Sequence, residues 1–171
     1  MVAINASCIR IFDFDGDGDE DLFATNGHVM NHPSNVPLLQ RPLVFENLDG
    51  KRFVNVADGA GEYMRSEHLG RGVASGDLDQ DGAADLVVSH TNQPVAILKN
   101  ESLDPGSWLR VRLVGTRSHR DAVGARIAVS AGGQKYTRQV KGGSSFLSSS
   151  VPEVLFGLAT ATTIDLIEID W

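Results

Sequence analysis

The sequence predicts an all-β chain that contains about two blades of a β-propeller, followed by a small antiparallel, sandwich-like β domain. Short runs of Val, Ile, Leu, Phe and Thr alternate with 18 glycines, as in strands joined by tight turns. No stretch of ten or more residues combines helical periodicity with convincing caps. The hydrophobic content of 42% is enough to bury a core in one or two small domains.

An internal repeat organises the first hundred residues. Residues 9–25 align with residues 73–89, which begin 64 positions later, and each segment has a strand-like run on either side of an acidic loop. Between the copies lie two more strand-like runs, 42–47 and 52–56, joined by an Asp-Gly pair that is a strong hairpin signal. Four antiparallel strands per repeat are typical of a propeller blade.

The pattern changes at a turn-rich stretch near residues 101–107, which predicts one domain at 1–103 and a second at 104–171. An alternating run begins at Trp108, and Ala125–Ala131 and Gln134–Val140 are predicted to form a hairpin through two glycines. Two more runs, at 155–158 and 164–171, supply the last predicted strands.

Ten of the 22 acidic residues lie in two loops, Asp13–Asp21 and Asp77–Asp85, although the net charge of the chain is only -7. Both loops fit the pattern D-x-D-x-D-G-x-x-D, in which oxygens at alternate positions can converge on one calcium ion. Glycine at position six permits the sharp reversal, and the carboxylates would repel one another without a cation. The predicted ligands are the side chains of Asp13, Asp15, Asp17, Asp21, Asp77, Asp79, Asp81 and Asp85 and the backbone carbonyls of Asp19 and Ala83.

Three alternatives to calcium-binding hairpin loops compete with this prediction. An EF-hand would carry Glu at position 12 and a helix after the loop, whereas Ala24 and Val88 stand there within strand-like residues. Magnesium ranks second because it prefers rigid octahedral sites with several waters. A solvated acidic turn is the third alternative, and two copies of the motif in one repeat frame argue against it. Charge this local favours small hard cations, and neither a large basic partner nor nucleic acid is expected.

The chain resembles two known families. The first region resembles FG-GAP/VCBS repeats, the calcium-loop propeller blades also found in integrin α-subunits, through both loops and residues 42–47, 49–57 and 70–77. The second region is similar to the ASPIC/UnbV domain through residues 108–116, 120–126, 141–148 and 156–158. This order of regions resembles the cartilage acidic protein family and its bacterial relatives.

The resemblance implies calcium on propeller blades, an extracellular or periplasmic setting, and recognition or adhesion involving an unknown protein or glycan ligand. It maps the same ten ligands and offers no catalytic residues, so no enzymatic activity is expected. A metal-dependent enzyme or accessory domain and a structural propeller end-cap remain alternatives. Because a closed propeller needs about four to eight blades, we expect a C-terminal fragment, or blade edges that pair with the second region or another copy.

Other features give weaker signals. His28 and His32 have the spacing of a helical zinc pair, but the proline after them favours a loop. His68, His90 and His119 are interpreted as isolated histidines, and the serines at 144–150 as a loop without a nucleophile motif. The basic residues of the second region are interpreted as solubility and edge protection, with an anionic glycan or acidic surface as the alternative. Neither a membrane span nor a signal peptide is visible.

Overall fold

The computed structural model describes residues 6–30, 36–102 and 106–171, and nearly all of the regular structure in this part is β. The all-β prediction is therefore confirmed. The strands are β1 Ala6–Phe12, β2 Asp21–Asn26, β3 Leu43–Leu48, β4 Arg52–Asn55, β5 Gly70–Gly76, β6 Asp85–His90, β7 Ala96–Leu98, β8 Trp108–Val111, β9 Arg126–Ala131, β10 Gln134–Gln139, β11 Val154–Gly157 and β12 Ile164–Asp170. One helical turn, α1 at Glu62–Arg65, precedes β5.

The first repeat forms one antiparallel sheet in the order β1-β2-β3-β4, which is the strand order predicted for a blade. The acidic loop joins β1 to β2, with Phe12 opposite Asp21 where the pairing ends. Strands β3 and β4 are joined at Asp49 and Gly50, whose φ angles are 54° and 66°. Positive φ at both central residues characterises the tight hairpin turn expected from this Asp-Gly pair.

The second repeat forms a three-stranded antiparallel sheet in the order β5-β6-β7. Strand β5 also contacts β1, so the first strands of the two repeats lie side by side. The two sheets share one hydrophobic core, and neither is closed into a barrel. The buried core residues are Cys8, Phe23, Val44, Ala57, Met64, Val73, Leu86 and Val88.

The C-terminal region has two small antiparallel sheets, β8-β11 and β10-β9-β12, around a second core. Ile127 and Val129 on β9 and Phe156 on β11 are fully buried in that core, which gives the region its sandwich-like character. The two cores have no residue in common. The boundary predicted between residues 103 and 104 lies outside the described residues, and the division into two domains stays a prediction.

The serine-rich segment 144–150 packs along the first strands of both repeats. Ser145 Oγ donates a hydrogen bond of 2.8 Å to the carbonyl of Ile9, and Ser75 N donates one of 3.0 Å to Ser150 Oγ. The amide of Phe146 donates to the buried sulfur of Cys8 at 2.9 Å. These serines thus join the two regions. In the described ranges, no helix is long and apolar enough to cross a membrane.

Candidate metal centres

Each acidic loop closes a β-hairpin at the same point of its repeat. Strand β2 begins at Asp21 and strand β6 begins at Asp85, and each of these aspartates faces the last residue of the preceding strand. Both side chains are buried, with 1% and 2% of their residue surface exposed. The position-nine aspartates are therefore anchored in the sheets, while the rest of each loop projects beyond the strand ends.

Backbone amides hold the aspartates of the first loop. Asp21 accepts hydrogen bonds from the amides of Phe14, at 3.0 Å, and Asn47, at 2.8 Å, with one bond on each oxygen. Asp13 accepts them from the amides of Gly16, at 2.8 Å, and Gly18, at 3.0 Å. Because each carboxylate oxygen has two lone pairs, these bonds orient the groups and leave acceptor capacity for an ion on Oδ1 of Asp13 and on both oxygens of Asp21.

The second loop repeats this arrangement. Asp85 accepts hydrogen bonds from the amides of Leu78, at 2.9 Å, and Asn100, at 2.8 Å. Asp77 accepts them from the amides of Asp81, at 3.1 Å, and Gly82, at 3.2 Å. Three of the four amide donors thus occupy equivalent places in the two repeats, whereas Oδ1 of the first aspartate accepts from position four in the first loop and from position five in the second.

The structure brings together the aspartates at positions one, three and nine of each loop. Carboxylate oxygens lie within 4.8 Å of one another in both groups, which are Asp13, Asp15 and Asp21, and Asp77, Asp79 and Asp85. Oxygens bound to one calcium ion at 2.3–2.6 Å are at most about 5 Å apart, so the spacing and the hard oxygen donors fit calcium.

The position-five aspartates stand apart from these groups of three. Oδ1 of Asp17 accepts a hydrogen bond of 2.8 Å from the amide of Asp19, and Oδ1 of Asp81 accepts one of 2.9 Å from the amide of Ala83. Each bond orients the carboxylate toward its own loop backbone. The assignment of Asp17 and Asp81, and of the carbonyls of Asp19 and Ala83, as metal ligands stays a prediction.

Burial makes negative charge unfavourable in the first loop. It raises the pKa of Asp13 to about 6 and the pKa of Asp21 to about 7, and backbone hydrogen bonds only partly offset this effect. Burial, together with the charge of Asp17, also raises the pKa of Asp15. A divalent cation among these groups would stabilise their ionised forms, which is a second respect in which they fit a metal.

The C-terminal region contacts one side of both loops, which the sequence did not predict. Its guanidinium groups approach the first aspartate of each loop, Arg138 at 4.0 Å from Asp13 and Arg110 at 3.7 Å from Asp77. Arg138 also donates a hydrogen bond of 2.7 Å to the carbonyl of Gly18. The interpretation of the basic residues of this region as solubility and edge protection is wrong for Arg138 and Arg110, because their side chains are only 13% and 31% exposed.

An aromatic ring lies against the glycine at position six of each loop. A Cβ atom at Gly18 would clash with the ring of Tyr136, and one at Gly82 would clash with the ring of Trp108. The two glycines have φ angles of 97° and 92°, as expected for the sharp reversal. Glycine is therefore needed at position six for two reasons, of which only the backbone conformation could be inferred from the motif.

The histidines do not assemble a metal site within the described ranges. The Nδ1 atom of His28 accepts a hydrogen bond of 3.0 Å from the amide of Met30, and His32 lies outside the described residues. His68 and His90 are not isolated, since both contact Tyr63. The ring of His68 stacks on the ring of Tyr63, with 4.0 Å between the ring centroids, and His90 Nε2 lies 2.7 Å from the tyrosine hydroxyl.

Comparison with known proteins gives a family match for each of the two regions of the chain. Residues 13–88 match the family model of the FG-GAP-like repeat, and residues 115–171 match that of ASPIC and UnbV. Cartilage acidic protein 1 of Mus musculus and that of Homo sapiens are each 28% identical over 163 residues, covering 93% of this chain and 24% of the relative. The Xenopus tropicalis protein of the same name is 30% identical over 115 residues, covering 65% of this chain and 18% of the relative. The chain spans about a quarter of the length of the mouse and human relatives.

Proposed function

Because this chain belongs to the proteins that join FG-GAP-like repeats to an ASPIC and UnbV region, we propose that it is a calcium-binding recognition module without catalytic activity. Two calcium ions bind in the loops Asp13–Asp21 and Asp77–Asp85, within a repeat region at 1–103. The region 104–171 is a separate β domain that rests on both loops. The ligands are the ten residues that the motif assigns.

The convergence of aspartate oxygens at the same point of two repeated hairpins carries this proposal. Each group of three has its oxygens within 4.8 Å of one another, and the position-nine aspartates are buried with both oxygens fixed by amides. One such group alone has the composition of any acidic surface turn. Two groups whose position-nine aspartates have matched hydrogen bonds support a common requirement, which a bound cation would explain.

Calcium is preferred to magnesium because of the ligand supply. Each loop brings three carboxylates together, and the proposed ligand set adds a fourth carboxylate and a backbone carbonyl, which suits a coordination number of six to eight. Magnesium would retain several waters and use one or two carboxylates. A titration with each ion distinguishes them, since the proposal expects calcium to bind at concentrations where magnesium does not.

A structural role for the ions follows from what surrounds them. The first aspartate of each loop is covered by an arginine and the position-six glycine by an aromatic ring, all from the C-terminal region. A catalytic metal would need an open coordination position and a nearby base. The contacts at positions one and six support ions that fix the hairpins and the surface on which the second region rests.

The recognition role is placed outside the cytoplasm, either extracellular or periplasmic. The name of the mouse and human relatives refers to cartilage and to acidity, and this chain has a net charge of -7. The ligand is proposed to be a protein or a glycan, bound by loops and exposed strand surfaces. Open blade edges also offer unpaired backbone for self-association.

Thermal unfolding and calorimetric titration test the calcium sites together. Calcium should raise the melting temperature in a concentration-dependent way. At a hundred times the dissociation constant, each site should add about 2.7 kcal/mol to the free energy of unfolding. Asp21→Asn and Asp85→Asn should each remove one binding step. A melting curve indifferent to both calcium and chelator, with no heat of binding, contradicts the proposal.

A further inference from the structure

Lys99 places a positive charge on the second acidic loop. Its Nζ atom lies 2.5 Å from Asp79 Oδ2 and 3.7 Å from Asp81 Oδ2, and both aspartates are proposed ligands. The hydrogen bond and the opposite charges lower the pKa of Asp79 and raise the pKa of Lys99. The Lys99 ammonium therefore neutralises part of the negative charge of the second loop.

The first loop has the opposite charge at the equivalent position. Asn47 and Asn100 each donate a backbone amide, across 2.8 Å, to the last aspartate of their loop. The residue before each asparagine therefore has the same relation to its loop, and this residue is Glu46 in the first repeat and Lys99 in the second. The charge of Glu46 contributes, after burial and Asp17, to the raised pKa of Asp15.

We infer that this charge difference makes the two loops unequal, so that calcium fills the first loop first and enters the second only as it displaces the Lys99 ammonium. The inference rests on the proposed calcium binding. A positive charge beside Asp79 repels an incoming cation, whereas Glu46 attracts one. An oxygen that accepts a hydrogen bond from the ammonium is also a poorer metal ligand until that bond breaks.

The Lys99 side chain has room to move away from the loop. Its side chain is 54% exposed and flexible, so the ammonium can rotate into solvent without disturbing the core. Asp77 and Asp85 keep their backbone hydrogen bonds when this happens, because Lys99 contacts neither of them within the described residues. The second loop is thus a usable site with a higher calcium requirement.

Calorimetric titration of the whole chain with calcium chloride measures this inequality. The wild type should show two steps, and Lys99→Gln should strengthen the weaker step about tenfold while leaving the stronger one unchanged. Glu46→Gln should weaken the stronger step by about the same factor. Lys51→Gln is the matched control, because it removes an exposed lysine at the hairpin turn between β3 and β4 and should alter neither step.

Two further measurements assign the steps and separate the possible failures. Amide NMR signals of Gly18 and Gly82 should shift with the stronger and the weaker step, respectively. Equal affinities in the wild type, or a weaker step that Lys99→Gln leaves unchanged, overturn the inference while both calcium sites stand. Absence of any calcium step in the folded wild type overturns the proposed function itself.

Discussion

The backbone amide of Gly157 donates a hydrogen bond of 3.2 Å to Oδ2 of Asp13, although 144 positions separate the two residues. The same oxygen accepts a hydrogen bond from the amide of Gly18, so one carboxylate atom connects the acidic loop to strand β11. The neighbouring amide of Ala159 donates to the carbonyl of Gly16 at 3.1 Å. A conformational change of the first loop must therefore reach the C-terminal region directly.

Calcium removal is expected to loosen this contact. Without a cation the loop carboxylates repel one another, and the hydrogen bonds from Gly157 and Ala159 to the loop open more often. Hydrogen–deuterium exchange should therefore accelerate at these two amides when calcium is withdrawn. Exchange at Ile127, whose side chain is fully buried in the C-terminal core, serves as the control and should change much less. If calcium withdrawal changed the exchange rates of all three amides by the same factor, or changed none of them, the coupling would be contradicted.

The loops could be predicted from the sequence because their chemistry is local. Nine residues contain the whole motif, and the 64-position repeat gives it a second copy. The covering residues are different, since Arg138 contacts the carbonyl of Gly18 across 120 positions. Such a contact depends on how two separately formed cores meet. The strand alternation around Arg110 and Arg138 indicates only that they share a face with the residues two positions away, and not what that face touches.

Arginine 138 should contribute more to stability than its neighbour Lys135 on the same strand. Arg138 is 13% exposed, donates to the carbonyl of Gly18 and lies over the ring of Phe156 at 5.8 Å. Loss of its charged hydrogen bond in Arg138→Met is expected to lower the free energy of unfolding by about 2 kcal/mol. Urea denaturation measures this change.

Lys135→Met is the matched control for that substitution. Lys135 pairs with Glu168 at 2.7 Å, but both side chains are more than half exposed, so its loss is expected to cost less than about 1 kcal/mol. Equal effects of the two substitutions would show that covering the loop contributes nothing to stability.

The position-six glycines should tolerate alanine poorly. Gly18→Ala adds a side chain at a φ of 97° and into the ring of Tyr136, and Gly82→Ala does the same against Trp108. Backbone strain and overpacking together are expected to cost about 2–4 kcal/mol in each case. Gly50→Ala is the control, since its φ is 66° with open space around the new Cβ, and it should cost about 1–2 kcal/mol. Thermal and urea unfolding would give the three free-energy changes. Similar changes at all three sites would show that the contacts with Tyr136 and Trp108 add nothing to the cost of an alanine.

The calcium-free protein should lose stability as pH rises from about 4 to about 7. Burial raises the pKa of Asp13 to about 6 and of Asp21 to about 7 in the folded state, above the ordinary value of 3.8. The folded chain then binds more protons than the unfolded chain in this window, so the free energy of unfolding falls as these protons are lost. Calcium should reverse this trend, because it stabilises the ionised carboxylates.

Melting temperatures in calcium-free buffer and in excess calcium, at half-unit steps of pH, measure both trends. Asp21→Asn removes the group with the higher pKa, so the calcium-free slope above pH 6 should become shallower in this variant. Asp58→Asn, which alters an exposed carboxylate that is paired with Arg41 and belongs to neither loop, should keep the wild-type slope. A calcium-free melting temperature that rises steadily between pH 4 and 7 would mean that the loop carboxylates are stabilised as anions by the protein alone, and a cation would then not be needed to hold them together.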